Sequence, residues 1–473
     1  MEKKSIRINF VFNTIKTIMV IIFPLISFPY ISRVLGVNGV GKVQYCMSVI
    51  SYFILFASLG IGTYSIREGV KVKDNKREFS KFLKEIFTIN MITTVFAYLV
   101  LVLLIKAGLF QGKKDIILVC SLSILGTTLS IEWLYQLMER YVYISIRTVI
   151  LQAISLFMMF YFVKTKEDFL IYAAITVFAS KGYCFLNFIQ AWKHFDFKTK
   201  IQLELRKHIS PILIIFGATL SVSIYMNMDV VMLGMFCGDY QVGIYSAAVK
   251  VNVVMKNVLT SISAVLMPRL VAYLTKGEQE KYRNLFKQGV NLNLFFSIPS
   301  AVGLAILSKQ IILLFSGKDF LPGVLTGQIL AIRLVFSALD NIFYNQVLIP
   351  NGYEREACTG TIAGAIANLV LNLVLIPVFQ TEGAAIATVL SEGVVFLYFL
   401  KFTKNIIDLN MIFDGTGRYI IAAFIMGFCV WGGTFIIESA ILQLIVLIPT
   451  GVAAYILTWW IMDKKHKKLI EQK

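Results

Sequence analysis

Five basic residues lie inside long apolar runs where charge is costly: Lys16, Lys181, Lys250, Lys256 and Arg333. Lysine supplies a compact positive charge and arginine a two-pronged donor fork, so such a set suits a phosphate-bearing anion. Each costs ~2.5–3.5 kcal/mol at a bilayer centre if nothing compensates it. Five together cost on the order of 15 kcal/mol, against a typical stability of about 5–15. Most must therefore meet water, a partner or a ligand. Polar neighbours recur at helical spacing and point to one inner face. Asn9, Asn13 and Lys16 follow i, i+4, i+7. Asn252 and Lys256 form one stripe, and Lys250 with Asn257 an adjoining one. Arg333, Ser337, Asp340, Asn341, Tyr344 and Asn345 make a fourth. Ser221, Tyr225 and Asp229 form a fifth, and Asn368 and Asn372 a sixth. The expected site is a polar, cationic cavity whose ligands are Lys16, Lys250, Lys256, Arg333, Asn13, Asn252, Asn341 and Asn345.

Plainer readings stand beside this one. Lys16 and Lys256 can snorkel to a membrane surface, and Lys181 can pair within its own bundle. Lys250 lies roughly 15 Å from the outer end of its helix at ~1.5 Å per residue, and Arg333 is similarly deep, so neither snorkels easily. Asp340, seven residues beyond Arg333, is a long reach for an ion pair. Asp229, Asp340 and Glu392 are candidates for proton or Na⁺ coupling, although a structural role is the simpler account of any single one. Pro24 and Pro29 interrupt the first apolar segment and Pro299 the ninth; each removes a backbone hydrogen bond and allows a kink. The first segment, with Pro24, Pro29 and Lys16, is the expected gate.

The elements that position these residues follow from composition. The chain has 473 residues, 58% hydrophobic and 15% charged, with mean hydropathy +0.76. These values belong to a bilayer protein rather than a soluble one. Fourteen segments are long and apolar enough to cross ~30 Å of hydrocarbon: 9–31, 42–64, 83–106, 115–138, 143–163, 168–192, 209–232, 241–267, 284–307, 322–348, 357–378, 382–402, 417–437 and 440–462. The connections leave no room for a soluble domain. Lys and Arg concentrate on one side, in the N-terminus (Lys3, Lys4, Arg7), Arg67–Lys84, Lys193–Lys207, Arg269–Lys287 and the tail from Lys464. That bias places both termini in the cytoplasm. The net charge of +18 is thus a topology signal, and nucleic acid is not an expected partner. The first segment is too long for a signal peptide, contains Asn13 and Lys16, and lacks a cleavage site. The six cysteines show neither metal nor disulfide spacing, and with three histidines no metal site or cofactor is expected.

An internal echo sets the architecture. LGVNGVGKVQY at Leu35 and LGMFCGDYQVGIY at Leu233 both read Leu-Gly, turn, Val-Gly, Tyr. EWLYQLMERY at Glu132 and IFYNQVLIPNGY at Ile342 are a second echo, each with a glutamine (Gln136, Gln346) in an aromatic turn. Segments one to six and seven to twelve read as two copies of a six-helix unit. Six is even, so the copies are parallel, and rocking them would give alternating access. The expected domains are 1–205, 206–405 and 406–473, the last holding two added helices and a basic tail.

Several stretches resemble the polysaccharide-transporter branch of the MOP superfamily, the Wzx-type flippases of O-antigen and capsule repeat units. They are FPYISRVLGVNGVGKVQY (Phe28–Tyr45), IEWLYQLMERYVYISIR (Ile131–Arg147), NMDVVMLGMFCGDYQVGIYSAA (Asn227–Ala248) and IPNGYEREACTGTIAGAIANLVLNLVLIPVFQTEGAAIATVLSE (Ile349–Glu392). The fold so implied is all-α and integral to the membrane, with fourteen transmembrane helices, MOP/MATE-like. The resemblance implies transfer of an undecaprenyl-pyrophosphate-linked oligosaccharide between leaflets of the inner (cytoplasmic) membrane, through a cationic lumen and with ion drive. The expected partners are that glycan, the bilayer and the polysaccharide polymerase machinery; the expected state is a monomer. Alternatives are a lipid II flippase and a cation-coupled multidrug or metabolite antiporter of the same superfamily. The excess of intramembrane lysine over acid argues against the antiporter. An enzyme is not expected: a membrane glycosyltransferase would present acids outside, and the outer stretch SKQIILLFSGKDFLPG offers only Asp319.

Overall fold

The computed structural model describes residues 6–193, 203–404, 406–407 and 415–471, and every regular element among them is a helix. Lys3, Lys4, most of the Lys193–Lys207 loop and most of the 405–414 loop lie outside the described residues. So do the side chains of Arg7, Asn9, Ser221 and residues 465–468. Part of the charge pattern used for orientation falls there.

The chain divides into two compact units, Met1–Val231 and Met232–Lys473. The first contains α1 (Ile6–Ser58), α2 (Ile61–Val72), α3 (Lys76–Lys106), α4 (Lys114–Ser130), α5 (Glu132–Leu137), α6 (Tyr141–Phe162), α7 (Phe169–Lys181), α8 (Cys184–Trp192) and most of α9 (Arg206–Phe236). The second contains α10 (Asp239–Thr275), α11 (Gln279–Phe315), a 3₁₀ turn (Lys318–Gly323), α12 (Val324–Ile342) and a π segment (Phe343–Leu348). It continues through α13 (Glu354–Thr403), α14 (Thr416–Ile436) and α15 (Ala440–Glu471). Eleven helical runs among the described residues are long and apolar enough to cross a membrane. Two of them merge pairs of expected spans: α1 is broken at Gly36 and α13 at Gln380. The protein is an all-helical, multi-pass membrane protein. Its outward side chains agree: Val265, Phe428 and Ile436 are 75%, 73% and 82% exposed, a surface suited to hydrocarbon rather than water.

In the first unit α1 packs on α3, α4, α6 and α7. Tyr30 Oη donates to the Val163 carbonyl at 2.7 Å and ties α1 to the end of α6. The turn that follows is fixed by Asp168, whose carboxylate accepts the backbone N–H groups of Lys164 (2.8 Å) and Thr165 (2.7 Å). Those bonds hold its pKa below the usual range, and the turn sets α7 beside α6. Buried His208 joins the start of α9 to α2 and α3, through Tyr64 Oη at Nδ1 (2.7 Å) and Glu85 Oε2 at Nε2 (2.8 Å). In the second unit α12 packs on α10, α11 and α13. α14 and α15 pack on each other and on α11 around Leu307, Ala422, Ala423, Met426, Val430 and Leu447.

The echo has a backbone counterpart, in a register different from the expected one. Gly36 has φ 67°, ψ −177°, and Gly238 has φ 86°, ψ −178°. A side chain is strongly disfavoured there, so glycine is what each corner requires. Matching these two residues puts Val40–Gly41 on Val242–Gly243. The sequence reading paired Gly36 with Gly234, but Gly234 lies inside α9. The tyrosines, nine residues after Gly36 and seven after Gly238, are then out of step. The second echo also marks interruptions. α4 and α5 separate at Ile131, φ 40°, ψ 41°, and α12 widens into the π segment. Pro24 and Pro29 do not interrupt α1: the helix runs through both, and its non-helical residue is Gly36.

Replacing Gly36 or Gly238 by alanine forces a side chain into this backbone conformation and is expected to cost about 1–3 kcal/mol. Gly62→Ala is the control: in α2, with nothing within 4 Å of the added carbon, it is expected to be neutral or to stabilise by up to about 1 kcal/mol. Melting curves of the variants purified in detergent check the contrast.

Candidate functional site

Each unit holds a cluster of charges that is buried or half-buried. In the second, Arg333 and Asp340 lie seven residues apart on α12, nearly two turns, so they share a face. Lys256 comes from α10, and Glu392 from α13 beyond its break. Arg333 Nε donates to Glu392 Oε1 at 2.8 Å, and Lys256 Nζ stands 3.6 Å from the same oxygen. Glu392 is 4% exposed. Arg333 therefore pairs with Glu392, fifty-nine residues on. Asp340 lies beside Glu392, is buried, and neither of its oxygens has a hydrogen-bond partner among the described residues. Two carboxylates are acceptors only, so a hydrogen bond between them requires a proton. Two bases and two acids make this a balanced cluster, not an unopposed row of cations.

The other expected residues of this unit lie on α10, on α12 and in the π segment. Lys250 is half-buried on α10, roughly 9 Å of helical rise before Lys256. Buried Asn252 donates through Nδ2 to the Ala248 carbonyl at 3.1 Å, and its Oδ1 is unsatisfied. Half-buried Asn341 also has an unsatisfied Oδ1. Asn345 falls in the π segment and is half-buried.

The first-unit cluster contains a residue that the sequence reading missed. Arg147 on α6 is 9% exposed. Its guanidinium carbon lies 3.7 Å from the ring centre of Tyr183, 5.5 Å from that of Tyr143 and 5.9 Å from that of Tyr135. These rings attract its charge. The nearest acid is Glu132, at the start of α5, with Oε1 3.5 Å from one terminal nitrogen of Arg147. None of the three guanidinium nitrogens makes a hydrogen bond among the described residues. Glu132 Oε1 is also 3.4 Å from Lys16 Nζ, and Oε2 accepts from Tyr183 Oη at 2.8 Å. Lys181 lies within electrostatic reach of Glu132 and Arg147, its stem packed on Gly126, where an added carbon would lie 2.7 Å from Lys181 Cβ.

A hydrogen-bonded frame holds the rings. Tyr143 Oη donates to Asn187 Oδ1 (3.1 Å) and Tyr135 Oη to the Asn187 carbonyl (2.6 Å). Asn187 Nδ2 donates to the Ser130 carbonyl (2.7 Å). The signal for Arg147 is its i, i+4 spacing from Tyr143, inside the expected span 143–163. Lys16 and Lys181 thus share Glu132, an acid of their own unit. Asn13, one turn before Lys16, is exposed. Asp229 is buried in the first unit, within electrostatic reach of Tyr52. No group of metal-ligating side chains occurs among the described residues.

Residues 6–274 match the family described as polysaccharide biosynthesis protein. A curated relative from Escherichia coli strain K12, named "Putative O-antigen transporter", is 25% identical over 423 residues, 85% of this chain and 98% of its own length. Among solved structures, "Lipid II flippase MurJ, inward closed conformation" superposes with a TM-score of 0.76 at 16% identity, over 97% of this chain and all of the other. An inward-facing "multidrug resistance MATE family transporter of the MOP superfamily" gives 0.60 at 14% identity, over 84% of this chain and 98% of the other. The two structural likenesses show the fold, which this chain shares with both proteins.

Glu392→Gln strips Arg333 and Lys256 of their shared carboxylate and is expected to cost about 3–5 kcal/mol. Asp340→Asn leaves that pairing intact and is expected to stay within about 1 kcal/mol of wild type. Unfolding followed by tryptophan fluorescence reads both.

Proposed function

We propose that this chain, which belongs to the polysaccharide biosynthesis protein family, is a flippase for lipid-linked glycans. The observation that supports this most is the match in sequence along nearly the whole length of a bacterial protein named as an O-antigen transporter, joined to a flippase-type fold. The physical task fits the molecule. A glycan head bearing phosphates cannot cross hydrocarbon unaided, since each unsatisfied polar group costs several kcal/mol. A protein with charged and polar side chains buried in its helical units can shelter that head while the lipid tail stays in the bilayer. No bond need be broken.

The finer reading is as follows. The substrate is an undecaprenyl-pyrophosphate-linked repeat unit, carried from the inner to the outer leaflet of the cytoplasmic membrane, with both termini in the cytoplasm. The two six-helix halves alternate access to the substrate. Lys250, Lys256 and Arg333 attract the pyrophosphate, with Asn252, Asn341 and Asn345 as polar neighbours. Glu392 is the counter-ion that releases Arg333 and Lys256 to the substrate. Asp340, unsatisfied beside Glu392, is the preferred carrier of a coupling proton or Na⁺, ahead of Asp229. The chain works as a monomer and hands its cargo to the polymerase machinery.

Complementation tests this directly. Expression in flippase-null strains that make different glycans is expected to restore export in at least one. Rescue only of a strain lacking its lipid II flippase would move the substrate to lipid II. Lys250→Ala and Arg333→Ala are expected to abolish export while membrane insertion, read by immunoblot, persists. Wild-type export in both variants would remove these residues from substrate binding.

A further inference from the structure

The balanced charges of the second unit contrast with those of the first. Lys16, Lys181 and Arg147 face one carboxylate, Glu132. Three bases against one acid leave an excess of positive charge around the buried Arg147, while Lys16, Lys181 and Glu132 are half-buried. The geometry of Glu132 is equally lopsided. Its bond from Tyr183 is 2.8 Å, but Arg147 and Lys16 stand 3.5 and 3.4 Å away. Charge-assisted N–H···O bonds normally close to about 2.7–2.9 Å. The pocket of donors is too wide for a carboxylate to satisfy.

Arg147 shows the same deficit from the donor side. A guanidinium carries five N–H donors around its rim, and buried donors are rarely left unmade. The tyrosine rings can attract its charge but cannot take up that full set of in-plane donors. Its rim is more than nine-tenths buried and makes no hydrogen bond among the described residues. The ring frame around Asn187 holds it there. A tetrahedral oxyanion is larger than a carboxylate and offers oxygens in more directions. It can take two parallel bonds from the arginine rim while the lysines and Tyr183 Oη close on its other oxygens.

We propose that Arg147, Lys16 and Lys181 form a binding site for a phosphate-bearing anion, in which the Glu132 carboxylate is the resident occupant that the ligand displaces. The site belongs to the first unit alone. It rests on the flippase reading only for the source of its ligand, the pyrophosphate of a lipid carrier. Tyr183 is the positioning residue: it stacks on Arg147 and donates a hydrogen bond from its hydroxyl to whichever anion is present.

The test is calorimetric titration of the full chain, purified in detergent, with sodium pyrophosphate in one arm and farnesyl pyrophosphate in another. Farnesol is the control for the tail. Arg147→Ala is expected to weaken both pyrophosphate probes at least tenfold and leave farnesol unchanged. Glu132→Gln removes the competing charge and is expected to tighten both about tenfold, a gain that a merely structural carboxylate would not give. Should Arg147→Ala fail to fold, Arg147→Lys keeps the charge without the fork and is expected to weaken binding severalfold. Unchanged affinity in the foldable arginine variant, or a Glu132→Gln protein that melts like wild type and binds no tighter, overturns the site. Farnesyl pyrophosphate binding more than tenfold tighter than the inorganic ion supports the lipid source; equal affinities overturn that source. The flippase reading fails separately: pyrophosphate binding as expected, with no rescue of any flippase-null strain, keeps the site and discards the transport role.

Discussion

Hydrocarbon provides neither counter-charge nor hydrogen-bond partners, so a membrane helix that carries an ionised side chain must find both within the protein. That constraint organises what lies inside each unit of this chain. Arg333 and Lys256 share the carboxylate of Glu392. Lys16 and Arg147 share that of Glu132. The rest of the local architecture serves these meetings. The break in α13 lets one chain segment leave the bundle and return with Glu392 facing α12. The interruption at Ile131 starts α5, with Glu132 as its first residue, and the Asn187 frame holds the rings that receive Arg147.

The two clusters solve the same problem to different degrees. Around Glu392 the charges cancel, and the unmet need is that of Asp340. Around Glu132 positive charge prevails, and the unmet need is that of the arginine rim. The proposed transport of an anionic headgroup would draw on both kinds of deficit. A site that satisfied itself fully would have no reason to exchange its partner for cargo. On that reading, static stability and turnover pull these residues in opposite directions, and incompletely paired buried polar groups are what it expects.

Much of this was legible in the sequence, and the boundary of legibility has a physical cause. Periodicity tells which residues of one helix share a face, so the strip from Arg333 to Asn345 and the Asn252–Lys256 stripe are identifiable in the sequence. It does not tell which helix stands opposite. Glu392 was assigned to ion coupling and Arg333 to substrate, although they touch. Lys16 was grouped with Lys250, although its carboxylate belongs to α5. Arg147 was passed over because its ring partners are scattered from Tyr135 to Tyr183 and only Tyr143 is at helical spacing. The repeated corner was legible as composition but misread in register, because Leu-Gly occurs in both copies while the backbone turns at a different glycine. Pro24 and Pro29 sit in the continuous part of α1 that precedes its break at Gly36, and proline is tolerated in membrane helices where the freed groups find other partners.

The location of each carboxylate relative to its bases also has a consequence for biosynthesis. Each cluster draws all its members from one half of the chain, so neither half must wait for the other to neutralise its interior. Within a half the wait is real. Lys16 and Glu132 are 116 residues apart, and at about 5–20 residues per second the ribosome needs roughly 6–23 s to supply the acid after the base. For that interval the first hydrophobic segment holds a lysine with no carboxylate from α5 to meet it. Arg333 waits only 59 residues. The nascent first helix is therefore the stage at which the insertion machinery, rather than the finished fold, has to shelter the charge.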